Sequence, residues 1–188
     1  YLADEICWLG TGSEQLSSKV FDFNKSLVGS TDIFLNLELR DSNNLLVAEN
    51  FYAIPAEKDE YYWDQTDWCY TPSKKYSNMK YVSALPQAEV KTQVTYKQEN
   101  NTIVAKVTIT NVSDNIAFQN VLKLKDGKGE IIYPVFWSDN YISLLPAESK
   151  TITCTIEKDL FPAEAVIEIS GWNIPNQKLW FILMIYLN

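Results

Sequence analysis

Residues 131–156 read IIYPVFWSDNYISLLPAESKTITCTI, and their pattern decides the fold class. An apolar run from Ile131 to Trp137 meets a polar corner, Ser138-Asp139-Asn140. A short apolar return, Tyr141 to Leu145, follows, and Pro146 breaks the chain. From Glu148 onward the residues alternate strictly through Thr151, Ile152, Thr153, Cys154, Thr155 and Ile156. Period-two alternation puts every second side chain on one face, the mark of a half-buried strand. Proline has no N–H to give to a ladder, so Pro134 and Pro146 mark strand edges or turns. The expected order is strand, corner, short strand, turn, long strand, which is how a β-sandwich passes its chain between two sheets. Asp139 and Asn140 are expected to cap backbone amides as an Asx-turn, against the alternative of a sugar-contacting pair. Phe136 and Trp137 are neighbours on a strand, so one should enter the core and the other point outward.

The same alternation recurs downstream and upstream. Glu89–Lys97 and Thr102–Asn111 flank a turn at Glu99-Asn100-Asn101, and Ile116–Lys125 is closed by the hairpin turn Asp126-Gly127-Lys128-Gly129. Ala165–Ser170 reads as a strand, Asn173–Gln177 as a turn, and the run Lys178–Leu187 as a buried last strand. About seven strands in roughly 100 residues with no helical period describe an immunoglobulin-like sandwich. The Cys…Trp…Cys spacing of antibody domains is missing. Upstream, Ile33, Leu35, Leu37 and Leu39 face one way and Phe34, Asn36, Glu38 and Arg40 the other. Asp41-Ser42-Asn43-Asn44 supplies a turn, Leu45–Tyr52 returns as the partner strand, and Pro55 ends it. Lys19–Asn24 alternates as well, after a loop at Gly10–Ser13. Ala56–Leu85 has poor periodicity and is read as an aromatic-rich connection with one short strand near Trp68–Thr71. Ser83-Ala84-Leu85-Pro86 has the composition of an interdomain joint. The expected fold is therefore all-β, as tandem immunoglobulin-like β-sandwiches. Residues 1–82 form an incomplete first sandwich and residues 83–188 a complete second one. Four or five strands make a thin first sandwich, one that has lost its opening strands or packs on a neighbour.

Composition narrows the function. The chain has 188 residues, enough for one large domain or two small ones, and at 46% hydrophobic it can fill a core. A net charge of −8 argues against a nucleic-acid partner, because phosphate binding needs clustered Lys and Arg. There is no His, which excludes Ser-His-Asp and Cys-His catalysis and any His-ligated metal. Cys7, Cys69 and Cys154 lie far apart without CxxC spacing, so no zinc site is expected. Cys154 reads as a small buried hydrophobe, and a Cys7–Cys69 disulfide is conceivable. The longest apolar run, Leu179–Leu187, falls short of the ~20 residues of a membrane-crossing helix, so no membrane partner is expected. Tyr1–Leu9 has no leader pattern, and a first residue other than Met points to a fragment or processed piece. The sequence calls for no cofactor. With 24 acidic residues a carboxylate-pair hydrolase stays chemically open, but Asp64 and Asp67, three apart in a loop, are no more than a common spacing.

The candidate ligand-contact residues are aromatic. Tyr61, Tyr62, Trp63, Trp68 and Tyr70 fall within ten positions, and Tyr62, Trp63 and Trp68 are the carbohydrate-contact candidates. Flat rings suit the apolar faces of pyranosides, and Asp59, Asp64 and Asp67 nearby could take hydroxyls or an aminosugar cation. Aromatics also bury large area at interfaces with a polar handle, and interdomain packing is the favoured reading. Sequons stand at Asn24-Lys25-Ser26, Asn100-Asn101-Thr102 and Asn111-Val112-Ser113; they matter only in a eukaryotic secreted protein and are otherwise incidental.

Two sets of residues carry a resemblance. Leu37-Glu38-Leu39-Arg40-Asp41 with Asn50-Phe51-Tyr52, and Trp68-Cys69-Tyr70-Thr71-Pro72 with Lys75-Tyr76 and Leu85-Pro86, form the first. Thr108–Asn111 with Ser113-Asp114 and Ile116-Ala117-Phe118, and Pro134–Tyr141 with Ser143–Pro146 and Glu148-Ser149-Lys150, form the second. They resemble the last two sandwich domains of family-two glycoside hydrolases of the exo-β-D-glucosaminidase and β-mannosidase group, over about residues 30–173. The resemblance implies that a (β/α)8 catalytic barrel, with its acid/base and nucleophile glutamates, lies upstream. No catalytic residue carries over to this chain. The expected partners are that barrel and the neighbouring sandwich domains, in a parent that cleaves terminal β-glycosides with retention. Ala147 departs from the group's usual Gly, and Lys178–Asn188 carries no motif of the group. A carbohydrate-binding module built on Tyr61–Trp68, or a scaffold sandwich that meets only proteins, are the alternatives.

Overall fold

The computed structural model describes residues 32–181. The chain divides into two compact units between Tyr81 and Val82. The readings for Gly10–Ser13, Lys19–Asn24 and the end of the last run lie outside the described residues.

In the first unit, β1 (Ile33–Arg40) and β2 (Leu46–Ile54) form the expected antiparallel hairpin, with Leu35 opposite Tyr52 and Leu37 opposite Asn50. Its turn works through Asp41, whose Oδ1 accepts the N–H groups of Asn43 (2.9 Å) and Leu45 (2.8 Å). Asn44 takes φ 64°, a left-handed conformation that Asn tolerates better than most side chains. Pro55 follows the last residue of β2. On one face Phe34 stacks on Phe51 at 5.8 Å and meets Tyr81 at 5.9 Å. The other face leaves Leu37, Leu39 and Tyr52 exposed. A second small ladder joins β3 (Glu60–Tyr61) to β4 (Ser73–Lys75). The strand expected near Trp68–Thr71 is therefore wrong. Those residues form the loop of this ladder, folded back where Asp67 and Tyr70 exchange backbone hydrogen bonds, and the strand begins only after Pro72.

The second unit is a sandwich of two four-stranded sheets. One runs β5 (Val90–Glu99), β6 (Thr102–Asn111), β10 (Ser149–Glu157), β8 (Phe136–Trp137). The other runs β12 (Gln177–Trp180), β11 (Ala165–Ser170), β7 (Ala117–Asp126), β9 (Ile142–Leu144). This is an immunoglobulin-like order, with the first, second and sixth strands of the unit and the short β8 in one sheet and the other four facing it. The inward residues are those that alternation selects: Ile103, Ala105, Val107 and Ile109 on β6, and Ile152, Cys154 and Ile156 on β10. At one end Phe181 meets Tyr96 and Phe161 edge-on, at 5.3 Å and 5.2 Å.

The decisive stretch behaves as expected in outline: β8 lies in one sheet, β9 in the other, and β10 returns to the first. The run Ile131–Trp137 is not one strand, however. Ile131 makes a single bridge to Lys125, and only Phe136–Trp137 pairs with β10. Pro134 interrupts the run because it cannot donate to a ladder. Trp137 packs on the core and Phe136 is 69% exposed, the opposite-face arrangement expected of neighbours.

Candidate functional site

The aromatic loop is built on the β3–β4 ladder. Beyond β3, Tyr62 donates its N–H to the Pro72 carbonyl (2.9 Å), and Trp63–Gln65 makes one 3₁₀ turn. The Asp67 carboxylate accepts the Trp68 N–H at 2.6 Å, fixing the tip. Trp63 is 72% exposed and Trp68 92%, while Tyr61 and Tyr62 sit at the border of exposure. The rings do not make one plane: Tyr61 and Trp63 lie 5.2 Å apart but tilted by 52°. Asp59, Glu57 and Glu60 nearby are already engaged. Asp59 accepts the Ser77 N–H (2.6 Å) and the Tyr61 hydroxyl (3.2 Å), and the Ser77 hydrogen bond holds its carboxyl below the ordinary range. Glu60 pairs with Lys74 at 2.9 Å and Glu57 with Lys75 at 3.1 Å. Two exposed indoles therefore stand beside two ion pairs and a hydrogen-bonded Asp59 carboxylate. Cys69, between Trp68 and Tyr70, is exposed and free; Cys7 lies outside the described residues.

In the sandwich unit the sequence's corner residues serve structure. The Asn140 side chain pairs with β7 as a strand residue would, accepting the Leu122 N–H (2.9 Å) and donating to the Leu122 carbonyl (3.0 Å). Asp139 accepts the Asn140 N–H at 2.7 Å. This is the capping role expected of the pair. Three further asparagines do the same work, though sequence reasoning noted Asn111 only as a sequon and strand end, Asn173 only as a turn residue, and Asn120 not at all. Asn111 and Asn120 are fully buried and donate to carbonyls of Leu144 and Ile142 on β9. Asn173 gathers three segments, donating to the carbonyls of Pro86 and Ile116 (both 2.7 Å) and accepting the Phe118 N–H (2.9 Å). Asn111 ends an alternating strand and Asn173 follows one, whereas Asn120 lies inside β7, where a polar residue on the buried side of the alternation is the signal. Among the described residues no three His, Cys, Asp or Glu side chains gather as a metal set.

Residues 68–174, more than half of the chain, match the family described as the exo-β-D-glucosaminidase Ig-fold domain. The chain belongs to that family. Among its relatives, the exo-β-D-glucosaminidase of Streptomyces avermitilis is 34% identical over 153 residues, covering 79% of this chain and 17% of that protein. That of Arthroderma benhamiae is 30% identical over 142 residues, covering 75% and 15%. The crystal structure of Amycolatopsis orientalis exo-chitosanase CsxA superposes with a TM-score of 0.74 at 30% identity, over 81% of this chain and 18% of that one. This Ig-fold domain thus corresponds to a small, non-catalytic share of much longer relatives. The family match takes in Trp68 and the whole decisive stretch, and ends just past Asn173; Tyr62 and Trp63 fall outside it.

Proposed function

We propose that the chain is the C-terminal sandwich region of an exo-acting β-glycosidase, and that it braces a (β/α)8 catalytic barrel supplied by other polypeptide. The family match carries this reading, together with the 15–17% of each relative's length that the chain accounts for. The parent would remove terminal β-linked glucosamine by the retaining two-carboxylate route, with both carboxylates on the barrel. Residues 1–82 would be the latter part of the penultimate sandwich. The exposed Leu37, Leu39 and Tyr52 of β1 and β2 support this, because a two-stranded sheet with an apolar face is an unfinished core. Phe136 would serve as an outward anchor of the final sandwich, since exposed aromatics at domain faces combine large contact area with few rotamers. The test has two arms. The purified 188 residues should release no p-nitrophenol from its β-glucosaminide. In the complete gene product, deleting residues 82–188 should abolish soluble activity. Turnover by the fragment alone would overturn the reading.

A second reading rests on the exposure of Trp63 and Trp68. Together with Tyr62 they would contact a glucosamine oligomer beside the catalytic centre. Calorimetric titration with chitosan oligosaccharides should then show saturable heat that Trp63→Ala and Trp68→Ala both remove. Flat titrations would dismiss it.

A further inference from the structure

Two sequons fall within the described residues, and the fold treats them in opposite ways. In Asn100-Asn101-Thr102 the two asparagines form the tip of the β5–β6 hairpin, where Glu99 pairs with Thr102. Asn100 is exposed, and its φ of 53° is one that asparagine adopts more readily than most residues. Its backbone carbonyl accepts the Gln98 amide at 3.1 Å, which leaves the turn formed whatever the side chain carries. Asn111-Val112-Ser113 stands at the other end of β6. There the Asn111 amide is fully buried and donates to the carbonyls of Asn115 (2.8 Å), Leu144 (3.0 Å) and Leu145 (3.2 Å). Its Oδ1 accepts both the N–H and the hydroxyl of Ser113 (3.1 and 2.8 Å).

We propose that, on passage through a eukaryotic secretory pathway, Asn100 is an acceptor for N-linked glycosylation and Asn111 is closed to it in the folded chain. The co-substrate class is an oligosaccharide on a polyisoprenyl pyrophosphate. The Asn100 Nδ2 forms a bond to the sugar's anomeric carbon, the bond from that carbon to the pyrophosphate oxygen breaks, and Nδ2 gives up one proton; nothing is oxidised or reduced. At Asn100 the new group extends into solvent from a hairpin tip. At Asn111 the same step would remove one of the two N–H groups that hold β9 and the following turn. It would also force a polar sugar into a site with no exposure, so a chain modified there cannot close this end of the sandwich.

The test is secretion of the 188-residue chain from a fungal host, with site occupancy read by peptide mass mapping of medium and cell fractions. Asn24 falls on a separate peptide and is scored separately. The expected result is a soluble chain occupied at Asn100 and empty at Asn111. Asn100→Gln should remove one endoglycosidase-sensitive mobility shift, and Ser113→Ala, which deletes the second sequon while keeping Asn111, should leave that shift unchanged. Occupancy of Asn111 confined to aggregated chains agrees with the proposal. Mapping needs no folding to be readable, so an empty Asn100 in both fractions would overturn it. So would a soluble chain glycosylated at Asn111.

Discussion

Ala147 sits at φ 63° in the turn between β9 and β10, a conformation that glycine adopts at less cost. The left-handed region costs a side chain with a Cβ roughly 1–2 kcal/mol. Glycine's freedom in the unfolded chain gives back about half of that. Ala147→Gly is therefore expected to stabilise the sandwich by about 0.5 kcal/mol, read as a higher urea midpoint at unchanged slope. Asn173 lies at the opposite extreme. Asn173→Ala leaves two carbonyls and the Phe118 N–H without their partner, and should cost roughly 2–3 kcal/mol in the same measurement. A loss below about 0.5 kcal/mol would mean that water replaces the amide freely. Burial pushes the Cys154 thiol up to about 12 from its ordinary 9.0. Iodoacetamide at pH 8.5 should therefore leave Cys154 unmodified until the chain unfolds, when peptide mapping finds it labelled. Above pH 9 the unfolded thiol ionises while the folded one keeps its proton. The unfolded state then binds fewer protons, and the stability from this group, complete below pH 9, is lost between about 9 and 12.

At the scale of elements, the strands differ in how much of their side-chain pattern is buried. β10 lies between β6 and β8 and buries Ile152 at 1% exposure, whereas Leu39 on β1 is 49% exposed. Ile152→Ala is expected to cost roughly 2–5 kcal/mol, because the transfer term adds to an unfilled cavity. Leu39→Ala, on a face that water already reaches, should change the stability of the 188-residue chain by less than about 1 kcal/mol. Equal losses at the two positions would show the β1–β2 face to be covered. The long strands β5, β6 and β10 were legible because each pairs along its full length with a neighbour and turns one side to the core, so alternation is enforced along the strand. Apart from β9, the shortest ones were not. β3, β4 and β8 have two or three residues each, and so short a segment holds too few positions for a period to emerge. A loop rich in Tyr and Trp, as around Trp68, imitates the composition of a strand without its hydrogen bonds.

For the whole molecule, the two units are not equivalent. Residues 82–188 hold two four-stranded sheets around one contiguous core, enough to fold alone, while the described part of residues 1–81 holds two two-stranded ladders. The fragment 82–188 should therefore give a dispersed NMR spectrum and one cooperative thermal transition, and the fragment 1–81 should give neither. A disordered 82–188 would mean that its core needs the preceding residues.

The sequence by itself determined the class of fold, the long strands and the family, because each rests on local order: a period of two, a proline or glycine at a turn, a run of adjacent residues. Only the tertiary structure decided what the polar residues do. Asn111, Asn120 and Asn173 are bound to carbonyls up to 87 positions away in sequence, and a bond at that separation leaves no trace in the neighbouring residues. The same holds for the two sequons: their tripeptides look alike, and only packing puts Asn100 in water and Asn111 in the core.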